Sequence, residues 1–379
     1  VLIAGQTYVL HEVSAPAGYT LAKDVTFTVS ETGEIDYVQM IDDTTKVSIS
    51  KTDITGEKNI SGATLQIIDK NGNVIHEWIS GTDVNYMEAQ LTAGETYTLH
   101  ETNAPAGYVL AQDQQFTVNP DGSITKVNMQ DDTTKVSITK KDITGENEIA
   151  GATLEVWDMQ GNVIDSWVSD GTAHEISGIL AAGAKYILHE VSAPDGYVVA
   201  TDVEFIVDAN GKVTEVTMLD DTTKLHVTKK DITGEKELAG ASLELYAAER
   251  DANGNYIRKG DAVEKWTSTD KAHEIIGKLT AGASYILHET AAPNGYVVAS
   301  DVPFVVNPDG TVTKVAMKDD TTKVEINKTT EDGTPLKGAV LQLLDKDGKE
   351  VEQWTTDGTA HVLTAKLTAG ATYVLHEVS

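Results

Sequence analysis

The sequence predicts an all-β protein, a tandem array of immunoglobulin-like β-sandwiches strung into an elongated rod. Three observations predict it. Two phrases recur at intervals of about 90 residues, short segments alternate apolar and polar residues, and turn phrases separate those segments.

The repetition is the strongest of the three. Y-x-L-H-E begins at Tyr8, Tyr97, Tyr186, Tyr285 and Tyr373, and M-x-D-D-T-T-K at Met40, Met129, Met218 and Met317. Successive copies lie 89 residues apart, then 99 where the third copy carries an insertion around Glu249–Asp261. A period of that size is too long for a solenoid and suits a small domain. The expected organisation is three complete units, 44–132, 133–221 and 222–320, the last with the insertion. Residues 1–43 hold the end of a unit and residues 321–379 the beginning of one.

Within the first complete unit, strands are expected over Thr45–Asp53, Ala63–Ile68, Val74–Ile79, Thr96–Glu101, Gln115–Val118 and Ile124–Gln130. The phrases DITGE, DKNGN, LTAGE, APAGY and NPDG between them supply turns, with Gly and Asn for positive φ and Pro for the first turn position. No segment carries a helical period. About four residues separate one unit from the next, too few for a free hinge, hence the rod.

Strand parity singles out three ionisable residues. Val47, Ile49 and Lys51 share a face, as do Tyr97, Leu99 and Glu101, and Val127, Met129 and Asp131. Each face is apolar except at its end. The same parity gives Lys140, Glu190 and Asp220 in the second unit, and Lys229, Glu289 and Asp319 in the third. It also chooses Asp131 over Asp132, which faces out. Two readings follow. One is a buried ion triad that offsets its own desolvation. The other is covalent: an apolar site favours a neutral lysine amine and protonated carboxyls, and the fold holds the amine against a carboxyl carbon.

Composition narrows the function. The formal charge is −30, which disfavours nucleic acid and anionic lipid as partners. There is no cysteine, so no disulfide braces these domains. No apolar run is long enough to span a membrane, so no insertion is expected in this segment. The opening residues do not resemble a signal peptide and there is no initiator Met, which reads as a piece of something longer.

Other constellations are weaker. His100-Glu101 stands on a strand without the H-E-x-x-H helix of a zinc site, so no metal and no cofactor is expected. Asp69–Asn73 and Asp345–Lys349 resemble the start of a calcium loop but lack its closing glutamate; a hairpin turn accounts for them. Trp78, Trp167, Trp266 and Trp354 recur at one repeat position, a carbohydrate platform or, in the favoured reading, a structural aromatic.

K-V-S-I-S-K-T-D followed by I-S-G-A-T-L-Q-I-I-D resembles the opening of CnaB (SpaA-like, prealbumin-like) domains of Gram-positive surface proteins. Y-T-L-H-E-T-N-A-P-A-G-Y resembles the E-box of pilins and adhesins, and V-N-M-Q-D the reactive end strand of a CnaB domain. The resemblance implies a CnaB-type fold and Lys–Asp isopeptide bonds joining Lys51 to Asp131, Lys140 to Asp220 and Lys229 to Asp319. It implies Glu101, Glu190 and Glu289 as catalytic acids. The bond forms once and is not turned over, so no enzyme in the usual sense is expected. Glu12 and Asp42, and Lys328 and Glu377, are the same positions left unpaired in the partial domains; the favoured reading is a cut in a longer repeat array, the other that the two pieces fit end to end between chains.

A pilin motif of Tyr-Pro-Lys-Asn type and an LPxTG-type sorting signal are both missing from the sequence. The resemblance therefore implies stalk repeats of an extracellular, cell-wall-anchored adhesin. The anchor and the host matrix or cell-surface ligand would lie outside this segment, and the stalk would be monomeric. The alternative expectation is that the repeats themselves bind a host matrix protein or glycan, through the insertion of the third unit.

Overall fold

A computed structural model of the protein describes all 379 residues. It contains strands and turns and no helix. By contact density the chain divides into two compact units. One comprises Val1–Lys140, Leu154–His189 and Asp202–Met218; the other comprises Lys141–Thr153, Glu190–Thr201 and Leu219–Ser379.

The first unit opens with an antiparallel pair, β1 (Thr7–Leu10) and β2 (Val25–Thr28). A complete sandwich follows, made of β3 (Lys46–Asp53), β4 (Thr64–Ile68), β5 (Val74–Ile79), β6 (Asn85–Glu88), β7 (Thr96–Asn103), β8 (Gln114–Thr117) and β9 (Ile124–Asp131). One sheet has the order β6-β3-β9 and the other β5-β4-β7-β8. β3 and β9 are parallel, with Lys51 opposite Met129 and Asp53 opposite Asp131. A parallel pair needs a crossover, and here the whole second sheet supplies it.

Alternation builds the core. Val47, Ile49, Leu65, Ile67, Leu99, Val127 and Met129 point between the sheets and are almost fully buried, with Trp78 packed against them. The intervening polar residues face water. Asp69 ends β4 in a turn: Gly72 takes φ +85°, and the backbone N–H groups of Asn71 and Asn73 donate to Asp69 Oδ1, both at 2.8 Å. Five of the six expected strands match to within one residue at each end, β7 runs two residues further, and β6 escaped expectation. Its sequence, NYME, is four residues long and shows no clean apolar alternation. Within the same unit Lys135–Ile138 pairs with His174–Ser177, and Lys185–Leu188 with Val203–Ile206, repeating the pairings of β3 with β6 and β7 with β8.

The second unit holds the third repeat in full. Lys224–Asp231 runs parallel to Thr313–Asp319, with Lys229 opposite Met317 and Asp231 opposite Asp319. The insertion lengthens one hairpin, Ser242–Arg250 with Tyr256–Thr267, and register shifts around Tyr246 absorb the extra residues. The chain's last residues form a smaller core around Leu341, Leu343 and Trp354.

Candidate functional site

β3, β7 and β9 each end their inward face with a charged residue, and the three ends meet. The side chains of Lys51, Glu101 and Asp131 are at most 2% exposed. Lys51 Nζ donates to Asp131 Oδ1 and lies 3.1 Å from Glu101 Oε1. The N–H of Ala111 donates to Glu101 Oε2 at 2.7 Å, which pins that carboxyl. The two remaining oxygens, Glu101 Oε1 and Asp131 Oδ2, are buried and accept no hydrogen bond. Two orphaned carboxylate oxygens in one apolar pocket are costly, and a proton on either carboxyl provides the missing donor.

The electrostatics point the same way. Burial pushes Asp131 up to about 7; Lys51 pulls against this, and Glu101 adds to it by charge and hydrogen bonding.

The third repeat reproduces the arrangement. Lys229 Nζ meets Asp319 Oδ1, Glu289 Oε1 lies 2.9 Å away, and Ala299 N–H donates to Glu289 Oε2 at 2.7 Å. Asp319 is raised to about 6, by burial first. In the second repeat Lys140, Glu190 and Asp220 are likewise buried, and Ala200 N–H donates to Glu190 Oε2 at 2.6 Å.

The end pieces differ. Lys328 and Glu377 form a half-exposed ion pair at 2.7 Å. The contact corresponds to that of Lys51 with Glu101 and of Lys229 with Glu289. Glu12 accepts from Ala22 N–H at 2.6 Å, and Asp42 is raised, first by desolvation and then by Glu12 beside it. Glu12 and Asp42 therefore also sit in contact, without a lysine.

Asp132, one residue beyond Asp131, has its own task. Its Oδ1 accepts from Thr133 N–H and its Oδ2 from Lys135 Nζ, both at 2.7 Å, and Lys135 holds its carboxyl below the usual range. His100 faces away from Glu101 and bonds Asp113 at 2.5 Å; His189 with Asp202 and His288 with Asp301 repeat the pair. No group of three or more His, Cys, Asp or Glu stands close enough to hold a metal. Trp167, Trp266 and Trp354 stack on His174, His273 and His361, and each of these histidines also bonds a carboxylate. One indole face is thereby covered.

Two features went unread in the sequence. One is the N–H donor ten residues after each buried glutamate. Its signal was an A-x-D phrase at constant distance from H-E, as in Ala111–Asp113, Ala200–Asp202 and Ala299–Asp301. The other is the T-T-K portion of M-x-D-D-T-T-K. Thr134, fully buried, donates from Oγ1 to Leu180 O at 2.7 Å, and its N–H donates to Gly107 O at 2.9 Å.

Comparison with known proteins bears on the fold. A family model described as SpaA, prealbumin-like fold domain, matches residues 45–133, 134–222, 223–321 and 322–379. No curated protein matches the chain. Among similar solved structures is the Bacillus anthracis TIE protein, at 22% identity and TM-score 0.38, covering 79% of this chain and 53% of that one. The chain thus spans about half the length of that relative. The full-length major pilin SpaD from Corynebacterium diphtheriae shows 15% identity over 76% of this chain and 99% of its own, with TM-score 0.36. The shaft pilin SpaA from Lactobacillus rhamnosus GG shows 14% over 50% and 98%, with TM-score 0.25.

Proposed function

The chain belongs to the SpaA prealbumin-like domain family, and from that membership and its buried triads we propose that it is a run of stalk repeats from a Gram-positive surface adhesin, each complete repeat locked by a Lys–Asp isopeptide bond. The observation that carries the reading is the buried cluster of Lys51, Glu101 and Asp131 with its two orphaned carboxyl oxygens. A purely structural Lys51–Asp131 ion pair gains little from a second buried carboxyl that leaves one oxygen of each without a hydrogen bond.

In this reading the neutral Lys51 amine attacks Cγ of Asp131. Glu101, protonated on Oε1, donates to the Asp131 carboxyl and makes its carbon more electrophilic. The attacking nitrogen loses a proton through Glu101, the Asp131 hydroxyl leaves as water, and Glu101 ends as it began. Amine plus carboxylic acid gives amide plus one water. Fixed proximity replaces an activating reagent. The bond forms once per repeat, so the chain turns over no substrate. Such a stalk works outside the cell at the wall. Its repeats space and bear load, and none of their shared motifs is assigned to a host ligand.

Proton counting sets the pH dependence. The reactive arrangement, neutral amine with two protonated carboxyls, holds two protons besides those of the amine. It is an isomer of the state in which the lysine is charged and the two carboxyls share one proton. Lowering the pH below about 7 leaves the first repeat in this set of states; raising it through about 7 removes a proton and the reactive form with it. For the third repeat the same loss sets in at about 6. A chain kept in denaturant and diluted into buffer is expected to lose water faster just below pH 7 than above it. The rate should decline on the alkaline side in the first and third repeats alike. Mass spectra of quenched samples measure this, and a rate that rises with pH through 8 would rule out the proton inventory.

A further inference from the structure

We infer that each repeat's reactive glutamate is held in position by the repeat that follows it. The inference rests on the isopeptide reading above and adds a positioning partner that lies outside the reacting domain.

The loop between β7 and β8 joins two tasks. Its far end supplies the Ala111 N–H to Glu101 Oε2. That bond keeps Oε2 an acceptor, so any proton on Glu101 resides on Oε1, the oxygen facing Lys51. Two and four residues earlier, the same loop is stapled to the start of the next repeat. Thr134 N–H donates to Gly107 O and Val109 N–H donates to Asp132 O, both at 2.9 Å. Thr134 Oγ1 then reaches Leu180 O, in a loop of the following repeat, and Gly178 N–H returns to Thr134 O at 3.0 Å.

The fit leaves no slack. Gly107 takes φ +89°, and a Cβ there would lie 2.3 Å from Gly178 O. Only glycine meets both conditions. In the second unit the arrangement returns twice. Thr223 donates from N to Gly196 O at 2.9 Å and from Oγ1 to Leu279 O at 2.8 Å. Thr322 donates from N to Gly295 O at 2.9 Å and from Oγ1 to Leu367 O at 3.0 Å. In each case the glutamate's N–H donor, Ala200 or Ala299, stands four residues after the clamped glycine. Asp132 lies one residue from the electrophile, so the staple also ties the glutamate's loop to the reactive strand end.

A carboxyl that can swing free delivers its proton less often to the right atom, and a displacement of about 1 Å can cost about 100-fold in rate. The test uses the full chain carrying Gly107→Ala. It is diluted from denaturant, quenched at intervals and digested, and the cross-linked peptides of all three repeats are counted. The second and third repeats serve as internal controls. Cross-linking of Lys51 to Asp131 is expected to slow at least 10-fold while the other two keep their rates. Thr134→Val, which keeps the shape and removes the hydroxyl donor, should slow the first repeat more mildly. Thr134→Ser should restore it, a rescue that general loosening would not give. Equal rates at all three repeats in both Gly107→Ala and Thr134→Val overturn the inference and leave the isopeptide reading intact. A wild-type chain that loses no water overturns both.

Discussion

Exchange of Glu101 for glutamine is expected to leave Lys51 and Asp131 unjoined and to cost the first repeat about 4–5 kcal/mol. The size comes from loop closure: the bond would close a loop spanning 80 residues, and by analogy with disulfides such a loop is worth that much through the unfolded state. Glutamine fills the same volume, accepts the same hydrogen bond from Ala111 through its Oε1, and cannot pass a proton. The change therefore separates bond formation from packing. In calorimetry the transition of the first repeat should fall by roughly 20–35 °C for a domain of this size, while those of the other repeats stay in place. A small shift with the first cross-link still present would show that Glu101 is a structural carboxyl only.

The same variant should behave differently under load. Force enters the first repeat at Lys46 and leaves after Asp131, and β3 and β9 run parallel between those points. With the bond in place, tension passes along β3, already extended, across Lys51 to Asp131 and out. The chain between them carries none of it. Without the bond, the sandwich opens and releases that length. A loop spanning 80 residues corresponds to roughly 260–290 Å of extended chain. Pulled by single-molecule force spectroscopy, the wild-type chain is expected to show no step of this size from its complete repeats. Glu101→Gln is expected to add a single one, and steps from every wild-type repeat would refute the load path.

How far the sequence carried this picture can be seen residue by residue. The inward triads were legible because each strand states its own parity: Val47 and Ile49 fix the side on which Lys51 falls, and Val127 and Met129 do so for Asp131. Nothing beyond local alternation was needed, since a sheet enforces period two along each strand. The short strand Asn85–Glu88 was not legible, because pairing to β3 rather than its own pattern makes it a strand. The junction was also hidden. Thr134 bonds carbonyls 27 and 46 residues away, and a Thr-Thr pair after two aspartates reads locally as a turn.

The recurrence of whole phrases has a physical explanation in these terms. In M-x-D-D-T-T-K, the first aspartate ends the reactive strand, the second caps the turn and binds the following lysine, and the second threonine seats the next domain. In Y-x-L-H-E, tyrosine and leucine fill the core, histidine binds an outer aspartate, and glutamate completes the triad.

The central claim concerns one covalent bond per complete repeat, and the intact mass of the purified chain tests it most directly. The expected mass is that of the sequence less one water for each of the three complete repeats, with fragments joining Lys51 to Asp131, Lys140 to Asp220 and Lys229 to Asp319. A mass equal to that of the unmodified sequence would contradict it.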